Sequence, residues 1–112
     1  MSIKEFLESN GYRMWKEDTE KSHSTMYFQK RVDDIYTDAP VCACNDKLFI
    51  NIEVWTMRYN GVHTSCTVGM VHENQNNEWC DIKIYSLTED QLKAKLEEYE
   101  DKVVNMWEVF ND

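Results

Sequence analysis

The stretch LFINIEVW, residues 48–55, alternates aliphatic side chains with aromatic and polar ones. A period of two residues is typical of a strand with one buried face, because successive side chains point to opposite sides of a sheet. We therefore predict a strand over Lys47–Arg58. The residues that face the core are Leu48, Ile50, Ile52 and Val54. The residues of the opposite side, the outer face, are Phe49, Asn51, Glu53 and Trp55.

Two further strands, Val62–His72 and Trp79–Leu87, follow with the same alternation. The link Tyr59-Asn60-Gly61 suits a three-residue hairpin loop with glycine in the left-handed conformation. This loop sets Arg58 opposite Val62. Core residues then meet core residues across the hairpin, an agreement that a slip of one residue would destroy.

The second hairpin has a polar loop over residues 73–77 and sets Met70 opposite Cys80 and Cys66 opposite Ile84. The two registers together predict four rows across the outer face. These rows are Trp55, Ser65 and Tyr85; Glu53, Thr67 and Lys83; Asn51, Gly69 and Asp81; and Phe49, Val71 and Trp79. The charged row of Glu53 and Lys83 is expected to be solvated.

The flanking segments add two strands and two helices. A capping box at Ser2 and Glu5 predicts a short helix over residues 3–9. Strands are predicted over Gly11–Glu17 and Thr25–Val32, with Asp18–His23 as the loop. A second capping box, Thr88 with Gln91, begins a long amphipathic helix. Its apolar stripe is Leu92, Leu96, Tyr99, Val103, Met106, Trp107 and Phe110.

The predicted fold is one α+β domain over residues 1–112. It has a short N-terminal helix, a five-stranded antiparallel meander and a long C-terminal helix on one sheet face. Chain length agrees with a single domain.

The formal net charge of −9 bears on partners and compartment. It argues against nucleic acid, whose phosphates require Lys/Arg patches, and against anionic membranes. A protein partner with a basic surface is compatible, although the charge also serves solubility alone. MSIKEFLESN has charges where a signal peptide is apolar, and no segment is long enough to span a membrane. We expect a cytoplasmic protein with reduced cysteines.

The pair Cys42 and Cys44 raises the question of a metal or redox site. It supplies two ligands, and no second pair with zinc-site spacing follows, so we predict no metal and no cofactor. Phosphate loops, nucleophile elbows and other catalytic motifs are absent from the sequence, so we predict that the protein is not an enzyme. The alternative is a small enzyme using Cys42, Cys44, His63 or Asp81.

Two surfaces are candidates for a partner. The first is aromatic and lies on the outer face: Phe49, Trp55, Trp79 and Tyr85. Aromatic residues are enriched at protein interfaces, but the N-terminal helix or a loop covering them is the alternative. The second is acidic and lies on the C-terminal helix: Glu97, Glu98 and Asp101. An ordinary solvated helix face is its alternative. A homodimer through either surface is left open.

Several segments between Cys42 and Phe110 carry a resemblance. CNDKLFINIEVW, the hairpin containing Trp79, IKIYSL and a helix ending in NMWEVF together resemble small uncharacterised proteins of tailed phages and prophages. The resemblance implies an accessory protein that inhibits or modulates a host protein, and defence nucleases are among the host proteins that such phage proteins block. An immunity protein that neutralises a basic bacterial toxin is the alternative, because the same acidic α+β domain suits both.

Overall fold

A computed structural model describes residues 1–31, 47–73 and 79–110. The elements are α1 Ile3–Ser9, β1 Arg13–Thr19, β2 His23–Arg31, β3 Lys47–Arg58, β4 Val62–Glu73, β5 Trp79–Leu87 and α2 Glu89–Phe110. The strands form one sheet in the order β1-β2-β3-β4-β5, and every neighbouring pair is antiparallel. The predicted α+β meander is confirmed. Residues 32–46, 74–78, 111 and 112, which include Cys42 and Cys44, lie outside the described part.

One face of the sheet carries the hydrophobic core. Strand residues at alternate positions contribute Phe28, Ile50, Ile52, Val54, Val68 and Met70. Helix α2 contributes Leu92, Leu96, Val103 and Val104, and α1 contributes Ile3 and Leu7. Because both helices join the same cluster, they lie on one side of the sheet, called the helix face below. α1 therefore does not cover the aromatic residues of the outer face.

Both helices begin as their capping sequences predict. The amide of Glu5 donates to Ser2 Oγ at 3.1 Å. At α2 the exchange is reciprocal: Thr88 N donates to Gln91 Oε1 at 2.9 Å and Gln91 N donates to Thr88 Oγ1 at 3.1 Å. Helix α2 is interrupted at Lys95, where the backbone has φ −133° and ψ 24°.

The hairpin of β3 and β4 has the predicted register. Arg58 lies opposite Val62, Val54 opposite Cys66 and Ile50 opposite Met70. Its turn places Asn60 at φ 53° and Gly61 at φ 110°, the left-handed region that the three-residue loop requires. The loop sequence was therefore sufficient to align these two strands.

The predicted register of β4 and β5 is wrong. Met70 lies opposite Ile82 rather than Cys80, and the register shifts again between Val68 and Gly69. This irregularity adds one residue to β5, so Cys66 lies opposite Leu87 rather than Ile84. An added residue reverses the face of the side chains that follow it. Tyr85 thereby lies opposite Val68 and packs against the core of the helix face.

The hairpin of β1 and β2 is longer than predicted. β1 continues to Thr19 and β2 begins at His23, so the connection is residues 20–22 rather than 18–23. Pairing is irregular between Met14 and Lys16, and Trp15 is the extra residue of this bulge. Within residues 1–31, 47–73 and 79–110, no helix combines the length and apolarity needed to cross a membrane.

A buried polar contact ties α2 to the N-terminal half of the sheet. Glu100, 7% exposed, accepts hydrogen bonds through Oε2 from Tyr12 Oη at 2.7 Å and Lys30 Nζ at 3.2 Å. Lys30 also donates to the carbonyl of Asn10 at 2.8 Å. Buried charges are stable when paired and hydrogen-bonded in this way.

Candidate functional site

The outer face contains a buried carboxylate. Glu53 lies between Tyr27 of β2 and Thr67 of β4 and is only 4% exposed. Its Oε2 accepts hydrogen bonds from Thr67 Oγ1 and Trp55 Nε1, both at 3.3 Å. The expectation of a solvated row at Glu53 is wrong, because the side chain is desolvated and held by neighbouring donors. Its partner in that row is also different, since Lys83 pairs with Gly69.

A second polar residue is buried beside this carboxylate. Asn51 follows the same face of β3, is 3% exposed, and lies opposite Gln29 and Gly69. Its Oδ1 accepts no hydrogen bond from any residue in the described ranges. Buried polar groups are normally paired, so an unpaired buried amide oxygen is unusual. Because both Glu53 and Asn51 are buried, this part of the outer face is not exposed to solvent.

Three aromatic side chains accompany Glu53. The bulge at Trp15 brings its ring beside Tyr27, with 5.4 Å between the ring centroids. Trp55 is half-buried and bound to Glu53 through its indole N–H. Trp15 remains 46% exposed. Large rings that keep exposed area are the side chains that most often anchor partners.

A cavity of about 370 Å³ lies at the end of the sheet where β1 and β2 are joined. Its lining includes three acidic residues, Glu17, Asp18 and Glu20, and two aromatic residues, Tyr27 and Trp55. His23 also lines it, with Nε2 at 3.3 Å from Glu20 Oε2. We call this the acidic–aromatic cavity. Carboxylates beside ring faces are the chemistry that binds organic cations, through ion pairs and cation–π contacts.

Phe49 and Trp55 lie on the outer face, as predicted. Phe49 lies opposite Arg31 and Val71, and Trp55 opposite Thr25 and Ser65. Trp79 lies opposite Glu73, which also places it at an outer-face position of the sheet. The predicted row of Phe49, Val71 and Trp79 is shifted, since Val71 pairs with Asp81.

The prediction that Tyr85 shares the outer face with Trp55 is wrong. Its ring packs on Tyr99 of α2 with a centroid distance of 5.1 Å, on the opposite side of the sheet. The extra residue in β5 explains this change, because alternation alone cannot reveal a bulge. Tyr85 and Trp55 therefore do not form one surface.

The acidic residues of α2 lie apart from the cavity. Glu97, Glu98 and Asp101 are exposed. Glu98 pairs with Lys102 at 3.2 Å, the i,i+4 contact that the sequence predicts. The ring of Tyr99 lies 5.1 Å from the same ammonium. This helix surface therefore has mixed charges.

Phe49 belongs to a different cavity of about 300 Å³. Arg13, Lys30 and Arg31 also line it, so its character is basic. Lys30 is already paired with the Glu100 carboxylate at 3.2 Å. The two cavities have opposite charge, and Phe49 and Trp55 do not line the same one.

Metal ligation has no support within the described ranges, where no group of three or more His, Cys, Asp or Glu side chains could hold an ion. Cys42 and Cys44 lie outside these ranges. Cys66 is free and 0% exposed. Burial, with a smaller contribution from the charge of Glu89, raises the pKa of the Cys66 thiol to about 12. A neutral buried thiol is not a nucleophile at physiological pH.

This raised pKa predicts a loss of stability in alkali. The pKa in the folded protein, about 12, exceeds the ordinary 9.0, so the unfolded chain loses the proton first as pH rises. The stabilisation is complete below about pH 9 and declines toward pH 12, reaching a loss of about 1 kcal/mol near pH 10. Urea unfolding at pH 7 and pH 10 measures it. Cys66→Ala should lack this part of the decline; an equal decline in both proteins would contradict the assignment.

The sequence did not identify Trp15, Asp18, Thr25 or Tyr27 as site residues. The alternation along β2 does place Tyr27 on the other face of the sheet from Met26 and Phe28, and this was the available signal. The pairing of β2 with β3 could not be predicted, because residues 32–46 separate the two strands in the sequence. Comparison of the chain with protein-family models, curated proteins and solved structures gave no match.

Proposed function

We propose that this protein is a non-enzymatic binding protein that docks on the basic surface of a partner protein. The observation that carries the proposal is the acidic–aromatic cavity, where Asp18 and two further acidic residues line the same space as Tyr27 and Trp55. Charge complementarity selects a basic partner. The rings of Tyr27 and Trp55 lose water when the partner covers them, and the area they bury stabilises the complex. The net charge of −9 favours encounter with such a partner at long range.

Exposed apolar side chains extend this surface. Met57, Tyr59 and Val62 of the β3–β4 hairpin are 45%, 73% and 71% exposed. Met57 lies opposite His23, which lines the cavity. A partner that covers the cavity can therefore also bury the hairpin tip. An apolar patch beside a charged one is the ordinary composition of a protein interface.

The partner we propose is a host protein of a phage-infected or lysogenic bacterium. The resemblance of residues 42–110 to small phage proteins supports this setting. Inhibition or modulation then follows from steric cover of the host protein, because binding requires no chemistry from this chain. The protein acts in the bacterial cytoplasm under this proposal.

Affinity capture from a bacterial lysate tests the proposal. The wild-type protein should retain a protein of net positive charge, and raising salt from about 0.1 M to 1 M should release it, because the Debye length falls from about 10 Å to 3 Å. E17Q/D18N should lose this protein. The matched control E97Q/E98Q removes an equal number of negative charges from α2 and should still retain the captured protein. Equal recovery on both variants would contradict docking at the cavity.

The acidic helix has a separate expected role in steering. Reversing Glu97, Glu98 and Asp101 to lysine should lower the association rate about tenfold at low salt and flatten its salt dependence. The dissociation rate should not change, since these residues lie outside the cavity. Surface plasmon resonance with the captured partner separates the two rates. An increased dissociation rate would instead place α2 inside the interface.

A further inference from the structure

We propose that the cavity lined by Arg13, Arg31 and Phe49, called the basic cavity below, binds a phosphate group that retains a proton. Inorganic phosphate is the simplest such ligand. The inference is independent of the proposed function, because this cavity lies at the opposite end of β2 from the acidic–aromatic cavity. Two separate observations support it: the cationic residues of the lining, and a buried hydrogen-bond acceptor in the neighbouring strand.

The lining of the basic cavity favours an anion. Of its six described lining residues three are cationic, Arg13, Lys30 and Arg31, and none of these six is acidic. The Lys30 ammonium is already paired, because it donates to the Asn10 carbonyl at 2.8 Å and to the Glu100 carboxylate at 3.2 Å. Arg13 is exposed, and its guanidinium offers donors in a geometry that matches an oxyanion. We therefore assign Arg13 as the cation that contacts the phosphate.

Asn51 lies in one cross-strand row with two residues of this lining. Arg13 pairs with Gln29, and Gln29 pairs with Asn51. On its other side Asn51 pairs with Gly69, which contributes no side chain. Paired residues of neighbouring strands have their side chains on the same face, so the row lies on the outer face. Gln29 is half-buried and lines the cavity, so the cavity borders Asn51.

The side-chain oxygen of Asn51 is the acceptor that a protonated phosphate would satisfy. The residue is 3% exposed, and its Oδ1 accepts no hydrogen bond from the residues that the structure describes. Leaving a buried acceptor unpaired is unfavourable. A ligand that pairs with this oxygen must carry an O–H or N–H donor, so an oxyanion without a proton does not suit the site.

A single phosphate is large enough to contact both ends of this row. Neighbouring strands are about 4.8 Å apart, so the backbones of Arg13 and Asn51, two strands apart, are separated by about 10 Å. A phosphate with one hydrogen bond on each side spans about 8 Å between its partners. It can accept from Arg13 and donate to Asn51 while it lies over Gln29, whose amide can also donate. The two outer contacts have opposite direction, and an anion that retains a proton makes both.

The experiment compares phosphate with sulfate by NMR titration of the ¹⁵N-labelled protein at about pH 8. Hydrogen phosphate then has the charge and tetrahedral shape of sulfate but retains one O–H. Sodium chloride keeps the ionic strength constant. Phosphate should give saturable shifts at Arg13, Gln29 and the side-chain amide of Asn51. Its Kd should be about 1 mM, because the net charge of −9 repels anions. Sulfate should bind at least tenfold more weakly, since it leaves the acceptor unpaired.

Two variants separate the contacts. Asn51→Leu removes the acceptor and keeps a side chain of similar size, so phosphate and sulfate should bind it equally. Its free energy of unfolding should not fall, because the oxygen that it removes is unpaired. Arg13→Gln should weaken both anions about tenfold. The matched control Lys21→Gln removes one positive charge from the connection of β1 and β2 and should change neither affinity.

Three results would overturn the inference. Equal binding of phosphate and sulfate to the wild-type protein would show that no acceptor takes part. A preference for phosphate that persists in Asn51→Leu would show that Asn51 is not that acceptor. Equal weakening by Lys21→Gln and Arg13→Gln would show a diffuse counter-ion effect rather than a site. The wild-type comparison and Arg13→Gln decide the question even if Asn51→Leu does not fold.

Discussion

Replacing Glu100 with alanine should lower the free energy of unfolding by roughly 3 kcal/mol, because it breaks a buried, hydrogen-bonded ion pair. Glu100 Oε2 accepts from both Tyr12 at 2.7 Å and Lys30 at 3.2 Å. Its loss leaves the Lys30 ammonium, whose side chain is 20% exposed, without its carboxylate. Against a typical stability of about 5–15 kcal/mol this is a large fraction. Urea denaturation followed by circular dichroism measures it.

Two further variants apportion the effect. Glu100→Gln keeps an oxygen acceptor and removes the charge, so its loss should be intermediate. Tyr12→Phe removes one hydrogen bond and should lower the free energy by about 1 kcal/mol. In the double variant Y12F/E100A the two losses should not add, because the residues share one contact. Additive losses would show that Tyr12 and Glu100 are not coupled, and a loss below about 0.5 kcal/mol for Glu100→Ala would show that the contact is not a stabilising one.

Replacing Trp55 with alanine should weaken binding of the captured partner at least thirtyfold, or about 2 kcal/mol, the threshold of an interface hot spot. The side chain lines the acidic–aromatic cavity and donates to the buried Glu53 at 3.3 Å. Trp55→Ala therefore removes a ring of the cavity and also a donor to the carboxylate. Isothermal titration calorimetry with the purified partner measures the affinity.

The matched controls separate binding from folding. Trp55→Phe keeps an aromatic ring and removes the N–H, so most of the affinity should remain if stacking is the main contribution. Tyr59→Ala removes a ring that is 73% exposed at the hairpin tip, and its effect should be smaller than that of Trp55→Ala. A large loss of thermal stability in Trp55→Ala with no change in partner affinity would contradict the role of Trp55 as an anchor.

The parts of the fold that sequence could predict are those fixed by local signals. The three-residue loop at Tyr59-Asn60-Gly61 determines which residues of β3 and β4 face each other, and the capping residues Ser2 and Thr88 determine where the helices begin. These signals depend on a few adjacent residues. The helix-face core followed from them, because the alternation of Ile50, Ile52 and Val54 can bury only one face.

The parts that sequence could not predict depend on bulges and on pairing between distant strands. One extra residue in β5 moved Tyr85 to the helix face, and one in β1 aligned Trp15 with Tyr27. No local residue pattern predicts either bulge. Glu53 was expected to be solvated because its predicted row also contained the charged Lys83. Its pairing with Thr67 was predicted correctly, but the pattern did not show that the Thr67 hydroxyl and the Trp55 indole would hold a buried carboxylate. Of the predicted site residues, Trp55 lines the acidic–aromatic cavity.

Amide hydrogen exchange of this protein, alone and saturated with its captured partner, tests whether the acidic–aromatic cavity is the docking site. Docking at the cavity predicts slower exchange in β1 and β2 from Trp15 to Tyr27, and around Trp55 in β3. The backbone of α2 from Glu97 to Asp101 should exchange at the same rate in both states. Protection confined to α2, with no change from Trp15 to Tyr27, would contradict the claim that the acidic–aromatic cavity is the docking site.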